Sequence, residues 1–300
     1  MAQLLVSVII PTYSRATYIT RAIDSVLNQT YKNIELIIVD DNGQGTPSQI
    51  ATSKTIERYN NTNIHYIIHE KNRNGSAARN TGIRNSRGAF VAFLDDDDEF
   101  VPEKIEKQVE TLVSKPNEYG AIYSGYRFFD NKRVKAEKKA YLEGNLQLEL
   151  LKMKFHVGSG SNVLFKREVF DNIGLYDESF IRHQDWEFLV RFFRKYKIAA
   201  IPDILLNIYM DSRINNPHGA KYLAIKEKFL STFEEDINNY NKNDRNEIYR
   251  NHWEQFALDC LKIKDIKNAV FYYRKAISYK CLSLKMICKI AYFTFFSRNY

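Results

Sequence analysis

A short apolar run that stops at four consecutive aspartates is the feature that most constrains this chain. Phe90–Leu94 contains no polar residue, which is typical of a strand buried on both faces of a sheet. Asp95–Asp98 follow directly and should lie at the carboxyl end of that strand, the edge at which open α/β sheets bind ligands. Neighbouring carboxylates repel one another, and Mg²⁺ or Mn²⁺, which prefer oxygen ligands, would offset that repulsion. A plainer interpretation is a solvated acidic turn ahead of a helix near Pro102.

The first hundred residues alternate apolar runs with helical patterns. In chain order, the predicted strands and helices are Leu4–Ile10, Tyr18–Asn28, Ile34–Val39, Thr46–Tyr59, Ile64–Ile68, Ser76–Asn85 and Phe90–Leu94. This β-α-β order predicts an α/β fold with a mainly parallel sheet sandwiched by helices. Parallel strands end at one edge of a sheet, so we expect Pro11–Arg15 and Asp40–Gly43 to meet the four aspartates there.

Beyond the aspartates the pattern is less regular. It predicts helices at Glu103–Ser114, Asn145–Lys154 and Glu187–Lys195, strands at Ala121–Phe129, Asn162–Phe165, Ile198–Ile201 and Ile204–Ile208, and a charged turn at Asn131–Lys139. After Pro217 long helical patterns take over, at Ala220–Tyr240, Arg245–Ile263, Ile266–Tyr279 and Ser283–Phe296. We therefore expect one domain over residues 1–214 and a C-terminal α-helical module over residues 215–300.

The positive charge of the chain is concentrated in its last forty residues. Residues 261–300 contain nine Lys or Arg and one Asp, whereas residues 1–260 contain 35 basic and 35 acidic side chains. This distribution argues against a nucleic-acid-binding face and indicates one basic, aromatic-rich segment. Because apolar residues recur within it at helical spacing, it predicts peripheral contact with a membrane surface. An ordinary last helix packed on the module is the alternative.

The cysteines and the first residues both favour a cytoplasmic protein. Cys260, Cys281 and Cys288 are odd in number and form no C-x-x-C pair, which argues against a disulfide framework or a zinc site. Met1–Pro11 is strand-like and has neither a basic flank nor a small-residue cleavage site, so we expect no secretory leader. If the basic segment binds lipid, the expected location is the inner face of the cell membrane.

Four further motifs accompany the aspartates. They are SVIIPTY at 7–13, SVLNQTY at 25–31, IIVDDNG at 37–43 and NGSAARNTG at 74–82. In this order and spacing, the chain closely resembles the family 2 glycosyltransferases of GT-A fold over roughly residues 4–210. The resemblance implies an inverting, metal-dependent hexosyltransferase whose nucleotide-sugar donor is a UDP-sugar. Its acceptor would be a saccharide or lipid-linked saccharide in surface polysaccharide synthesis.

The resemblance also implies which residues bind the nucleotide-sugar. Pro11, Thr12 and Tyr13 would line the base, Arg15 and Arg213 would approach the phosphates, Asp40 or Asp41 would accept the N3 hydrogen of uracil, and Asn74, Gly75 and Arg79 would flank the pocket. Turn chemistry and helix capping are alternative roles for residues of these types. Arg79, inside a predicted helix, could instead pair with a carboxylate at the sheet edge.

The Asp-x-Asp motif of the family falls on Asp95 and Asp97. The resemblance implies that Asp97 is a direct ligand of Mn²⁺ or Mg²⁺, that Asp95 or Asp96 faces the ribose, and that Asp98 orients the site. A divalent ion suits this place because the departing nucleoside diphosphate carries developing negative charge. Four aspartates in a row leave the register of the motif open by one residue.

The implied catalytic base lies further along the chain. Inverting transfer needs a carboxylate that takes the proton of the acceptor hydroxyl, and the family places it in a Glu-Asp pair ahead of a helix. Here the pair reads Gln184-Asp185, so Asp185 is the candidate base, with helix capping as its alternative role. The missing Glu leaves open whether Gln184 contacts the acceptor or the donor sugar. The candidate acceptor-site residues are Gly158, Ser159, Gln184 and Trp186.

Two other classes of protein share parts of this pattern. A sugar-phosphate nucleotidyltransferase would need a Gly-rich phosphate loop after the first strand, but PTYSRA at 11–16 contains no glycine. A non-catalytic nucleotide- or carbohydrate-binding module would be favoured only if Asp185 or the four aspartates were missing. An inverting glycosyltransferase is therefore the leading hypothesis.

Overall fold

The computed structural model describes residues 4–59, 63–130, 133–210 and 220–279. The strands in this part are β1 (Val6–Thr12), β2 (Ile34–Asp40), β3 (Ile64–Ile68), β4 (Phe90–Phe93), β5 (Glu99–Phe100), β6 (Tyr119–Asp130), β7 (Arg133–Lys138), β8 (Leu164–Lys166) and β9 (Lys197–Tyr209). The helices are α1 (Ile19–Leu27), α2 (Pro47–Ile56), α3 (Gly75–Arg84), α4 (Lys104–Ser114), α5 (Gln147–Leu151), α6 (Arg167–Ile173), α7 (Gln184–Phe193), α8 (Ala220–Thr232), α9 (Glu234–Asn238), α10 (Lys242–Lys262) and α11 (Ile266–Tyr279), with a short 3-10 helix at Gly160–Asn162.

The described strands form one mixed sheet in the order β3-β2-β1-β4-β8-β6-β9-β5, and β7 pairs with β6 outside this path. Strands β3, β2, β1 and β4 are parallel neighbours, which confirms the predicted α/β arrangement for this part of the sheet. Beyond β4 the sheet also contains antiparallel pairs, which involve β5, β7 and β8. Thr12 is the partner of Asp40, and Ile9 is the partner of Phe93. The polar segments after β1, β2 and β4 therefore meet at one edge.

Successive residues of β1 face two different helices. Val8 belongs to a buried cluster that also contains Ala22 and Ile23 of α1. Ile9 points the other way, since a Cβ atom at Gly82 of α3 would come within 2.3 Å of its side chain. Glycine at position 82 thus lets α3 pack directly on the sheet, and helices cover both of its faces.

Two predicted segments differ from the structure. The turn predicted at Asn131–Lys139 is wrong over β7, which pairs antiparallel with β6. Four of its six exposed residues are charged, and this composition favoured the prediction of a solvated turn. The two strands predicted on either side of Pro202 are one strand, β9, whose register with β6 shifts at Gly125. A Cβ atom at Gly125 would lie 2.8 Å from the carbonyl oxygen of Pro202, so this approach requires glycine. The short elements β5 and α6 were not predicted.

The chain divides into two compact units, one from residues 1–146 and 157–214 and the other from residues 147–156 and 215–300. The second unit contains α5 and α8 to α11, and within it Lys226 and Asp259 form an ion pair at 2.9 Å with little exposure of either side chain. The predicted helix Ser283–Phe296 lies outside the described residues. Among the helices that are described, none is long and apolar enough to cross a membrane.

Candidate active site

Asp96 is the one of the four aspartates that accepts a hydrogen bond from a side chain of β1. Its carboxylate accepts a hydrogen bond from the Thr12 hydroxyl at 2.8 Å and pairs with the Arg15 guanidinium at 3.0 Å. Burial raises the pKa of Asp96 to about 7, although the Arg15 charge acts in the opposite direction. Asp96 therefore ties the end of β1 to the segment that follows β4.

The other three aspartates, Asp95, Asp97 and Asp98, form a carboxylate triad in which one oxygen atom from each side chain lies within 4.8 Å of one from the others. The hydroxyls of Ser159 and Ser161 donate to Asp98 at 2.8 and 2.7 Å. Burial and the charges of Asp95 and Asp97 together raise the pKa of Asp98 to about 8. Without a cation, three ionised carboxylates in this position repel one another electrostatically.

The carboxylate triad fits a hard divalent cation. It offers only carboxylate oxygens, the donor type that Mg²⁺ and Mn²⁺ prefer, and it contains no thiolate or imidazole. Both residues of the implied Asp-x-Asp motif belong to it, and the structure adds Asp98. The two serines that hold Asp98 come from a loop about sixty residues further along the chain.

Asp40 and Asp41 are buried at the end of β2, where they hold the protein's own loops. Asp40 accepts hydrogen bonds from the side chain of Asn42 at 2.7 Å and from the Tyr66 hydroxyl. Asp41 has four partners at 2.7 to 2.9 Å, namely His69 Nδ1, the side-chain amide of Asn72 and the backbone N–H groups of Arg73 and Asn74. Asp41 therefore fixes the loop 69–74 that leads into α3.

Arg79 of α3 joins the carboxylate triad to α7. One guanidinium nitrogen donates to Asp95 at 2.7 Å and another donates to the side-chain oxygen of Gln184 at 2.6 Å. A Cβ atom at Gly75 would lie 3.0 Å from the guanidinium, so glycine leaves room for this contact. Arg79 thus does pair with a carboxylate at the sheet edge, and it also links that carboxylate to the segment of the candidate base.

Asp185 lies in the first turn of α7, whose N-terminal cap is His183 in the left-handed backbone region at φ 58°. Burial raises the pKa of Asp185, whereas the Arg79 charge and the backbone N–H of Trp186 lower it. The N-terminus of the helix and the positive charge of Arg79 thus both stabilise the ionised form of Asp185. Asp185 is not the N-cap residue, but its contact with the backbone N–H of Trp186 in the first turn is compatible with a role as base.

The remaining predicted residues lie around these groups. Tyr13 is half exposed, and its backbone N–H lies 3.3 Å from Asp96. Gly158 has φ 89° and packs on the ring of Tyr126, where a Cβ atom would lie 2.7 Å away. The Asn74 side chain caps α3, Pro11 lies within β1, and the Trp186 ring lies 5.1 Å from that of His183. Arg213 lies outside the described residues.

A mainly parallel, helix-covered sheet with aspartates at its carboxyl edge is the fold of a GT-A glycosyltransferase. The sequence model of glycosyl transferase family 2 matches residues 7–174, and the chain belongs to that family.

Sequence relatives and a solved structure agree with this assignment. The chain is 36% identical over 207 residues to an uncharacterized glycosyltransferase of Rickettsia prowazekii (strain Madrid E), a match that covers 67% of this chain and 63% of that protein. It therefore spans less than two thirds of that relative. It is 32% identical over 218 residues to the amylovoran biosynthesis glycosyltransferase AmsB of Erwinia amylovora, with 71% and 72% covered. The structure of S. aureus TarS 1–349 in complex with UDP-GlcNAc has the same fold, with a TM-score of 0.62, 15% identity and 93% of each chain covered.

Proposed function

We propose that this chain is an inverting glycosyltransferase that moves a hexose from a UDP-sugar to a hydroxyl of a saccharide or lipid-linked saccharide. The observation that carries the proposal is the bridge through Arg79, which contacts Asp95 of the carboxylate triad and Gln184 beside Asp185. Sugar transfer needs one group that stabilises the departing diphosphate and another that takes the proton of the acceptor. Here candidates for both groups lie close to one guanidinium.

On the donor side, the end of β1 and the carboxylate triad would hold the nucleoside diphosphate. The half-exposed Tyr13 would stack on the base, and Arg15, which also pairs with Asp97 at 2.6 Å, would approach the phosphates. The triad would hold Mn²⁺ or Mg²⁺, which supplies positive charge to the departing diphosphate. Asp40 or Asp41 would accept the N3 hydrogen of uracil; within the protein Asp40 already accepts three hydrogen bonds and Asp41 four.

On the acceptor side, Asp185 would accept the proton of the attacking hydroxyl. Burial raises its pKa, which makes its carboxylate a stronger base than that of an exposed aspartate. Attack from the face opposite the diphosphate inverts the configuration at the sugar carbon. Trp186 and the loop at Gly158 and Ser159 are the proposed neighbours of the acceptor.

The comparisons support parts of this proposal. The TarS structure contains UDP-GlcNAc, which supports a UDP-sugar as the donor. AmsB is named for the biosynthesis of amylovoran, which supports a role in polysaccharide synthesis. A nucleotidyltransferase and a non-catalytic binding module remain distinct outcomes of the experiment below.

The donor can be identified without knowing the acceptor. With Mn²⁺ present, we expect slow release of UDP from one or a few UDP-sugars. Release of GDP from GDP-sugars and of dTDP from dTDP-sugars, measured by the same chromatography, should be much slower. Release of pyrophosphate from a nucleoside triphosphate and a sugar phosphate would instead identify a nucleotidyltransferase. Binding of a UDP-sugar with neither turnover nor transfer to any saccharide would identify a binding module.

We also propose that the second unit contacts the inner face of the cell membrane through residues 261–300. Within the described part, the exposed face of α11 carries Ile266, Val270 and Ile277, which are 59%, 44% and 52% exposed. Their spacing places them on one side of the helix, and Lys267, Arg274 and Lys275 lie on the same helix. An apolar stripe with cations on its helix is complementary to an anionic lipid surface.

Flotation with vesicles tests this membrane contact. At low salt, the full-length protein is expected to float with vesicles that contain anionic lipid, because each cation contributes up to about 1 kcal/mol near anionic lipid. With neutral vesicles it should stay at the bottom of the gradient. Val270→Glu combined with Ile277→Glu should abolish flotation. The matched control is Val113→Glu in the first unit, since Val113 is 58% exposed and should be neutral. If the wild-type protein fails to float, the membrane proposal is wrong. If the double variant floats equally well, the exposed face of α11 is not the contact, and a protein truncated at Lys280 that also floats would end the proposal.

A further inference from the structure

The side-chain amide of Gln184 has only one chemically consistent orientation. A guanidinium donates hydrogen bonds and cannot accept them, so the group of Gln184 that lies 2.6 Å from Arg79 must be its oxygen. The amide NH₂ group consequently faces away from Arg79. Gly75 permits this arrangement, because a Cβ atom there would lie 3.2 Å from the Gln184 oxygen.

The NH₂ group of Gln184 is available to a ligand. Within the part of the chain that the structure describes, the Gln184 side chain makes one hydrogen bond, which its oxygen accepts from Arg79, and its NH₂ group donates to no protein atom. Gln184 is half-buried and precedes the candidate base, Asp185. The guanidinium of Arg79 donates to Gln184 and also to Asp95 of the carboxylate triad. Among the described residues, this NH₂ group has no hydrogen-bond acceptor, and it belongs to the residue that joins Arg79 to the candidate base, Asp185.

A glutamate at position 184 would present different chemistry. Its second oxygen would accept hydrogen bonds from sugar hydroxyls, and its negative charge would repel an anionic group on a sugar. Gln184 instead offers N–H hydrogens and no charge. The charged groups around it are Arg79, Asp95 and Asp185, so an added carboxylate would place a third negative charge around one guanidinium.

We propose that Gln184 is a specificity-determining residue, whose NH₂ group donates to a carbonyl or carboxylate oxygen on the reacting sugars. The chemical class it selects is an N-acetylated sugar or a uronic acid, since these carry an oxygen that accepts hydrogen bonds without donating one. This inference rests on the proposed glycosyltransferase function. The oxygen belongs either to the transferred sugar or to the acceptor, and the two arms of the experiment separate these sources.

The first arm uses donors that differ in one group. For wild-type protein with Mn²⁺, the rate of UDP release from UDP-GlcNAc and from UDP-glucuronic acid is divided by the rate from UDP-glucose. Gln184→Glu is expected to lower the larger of the two ratios by about tenfold or more, because it removes the hydrogen-bond donor and, for glucuronic acid, adds charge repulsion. Gln184→Ala removes the hydrogen bond without adding charge, so its effect on that ratio should be smaller and should not depend on the charge of the sugar.

The second arm uses acceptors. With the preferred donor, transfer to the methyl glycosides of N-acetylglucosamine and glucuronic acid is compared with transfer to methyl glucoside in the same three proteins. A change confined to this arm assigns the oxygen to the acceptor. The inference is overturned if Gln184→Glu leaves the ratios of both arms unchanged, or if wild type prefers the plain glucosides throughout. Failure of the wild-type protein to release UDP or transfer sugar from any donor would overturn the proposed function itself, and with it this inference.

Discussion

Asp97→Asn is expected to lower the turnover of sugar transfer by about 10²-fold or more, the range seen when one group that stabilises developing charge is removed. Asp97 belongs to the carboxylate triad and also pairs with Arg15 at 2.6 Å. Asparagine keeps the shape of the side chain but removes the charge, so a bound cation would lose an anionic ligand and the diphosphate would lose part of its stabilisation. The measurement is the initial rate of UDP release at saturating donor and Mn²⁺.

A matched control separates this effect from a general loss of charge. Asp171 lies on α6 and is exposed, so Asp171→Asn should retain wild-type rates. The Asp97→Asn protein should also keep its circular dichroism spectrum, because removing one of several opposing carboxylates does not disturb the core. Undiminished wild-type activity in EDTA would contradict a metal-dependent reaction altogether.

The second large effect is expected at Asp185. Asp185→Asn should lower the rate of transfer to an acceptor by about 10²- to 10⁴-fold, the usual contribution of a positioned general base. The affinity for UDP should stay nearly unchanged, because asparagine preserves the shape of the side chain and Asp185 is not a member of the carboxylate triad. Equilibrium binding of UDP and single-turnover rates measure the two quantities separately.

The pH dependence of the reaction provides a further check on Asp185. A base works only when it is ionised, and burial raises the pKa of Asp185 above its ordinary value of 3.8. As the pH falls, wild-type kcat/KM should therefore decline at pH values above those expected for an exposed aspartate. The residual activity of Asp185→Asn should lack the part of this decline that comes from Asp185, whereas protonation of Asp96 and Asp98 should affect both proteins equally. If UDP affinity collapses together with activity, Asp185 is a nucleotide-site or structural residue, and another residue must be the base.

The sequence predicted the parts of the site that are set by short stretches of chain. The apolar run Phe90–Leu94 predicts a buried strand, and parallel pairing then brings its aspartates beside the ends of β1 and β2. These predictions need only local pattern and the handedness of β-α-β connections. The assignment of Asp95 and Asp97 to an Asp-x-Asp motif came from the resemblance to the family.

Other parts of the site depend on pairs of residues that are distant in the chain. Arg79 and Gln184 are separated by 105 residues, and Ser161 and Asp98 by 63. No local pattern indicates that such side chains meet, because the contact is made only when the whole sheet is assembled. The same limitation explains why the loop-fixing role of Asp41 was not predicted.

The four hydrogen bonds to Asp41 have a consequence for ligand affinity. They order the backbone of residues 69–74 within the folded protein itself. Fixing one residue of a flexible loop costs about 1–2 kcal/mol of conformational entropy, and a ligand that had to order this loop would lose that much affinity for each residue. A nucleotide that binds beside this loop meets a backbone that is already ordered. Little of the free energy of its contacts would therefore be lost to ordering the loop.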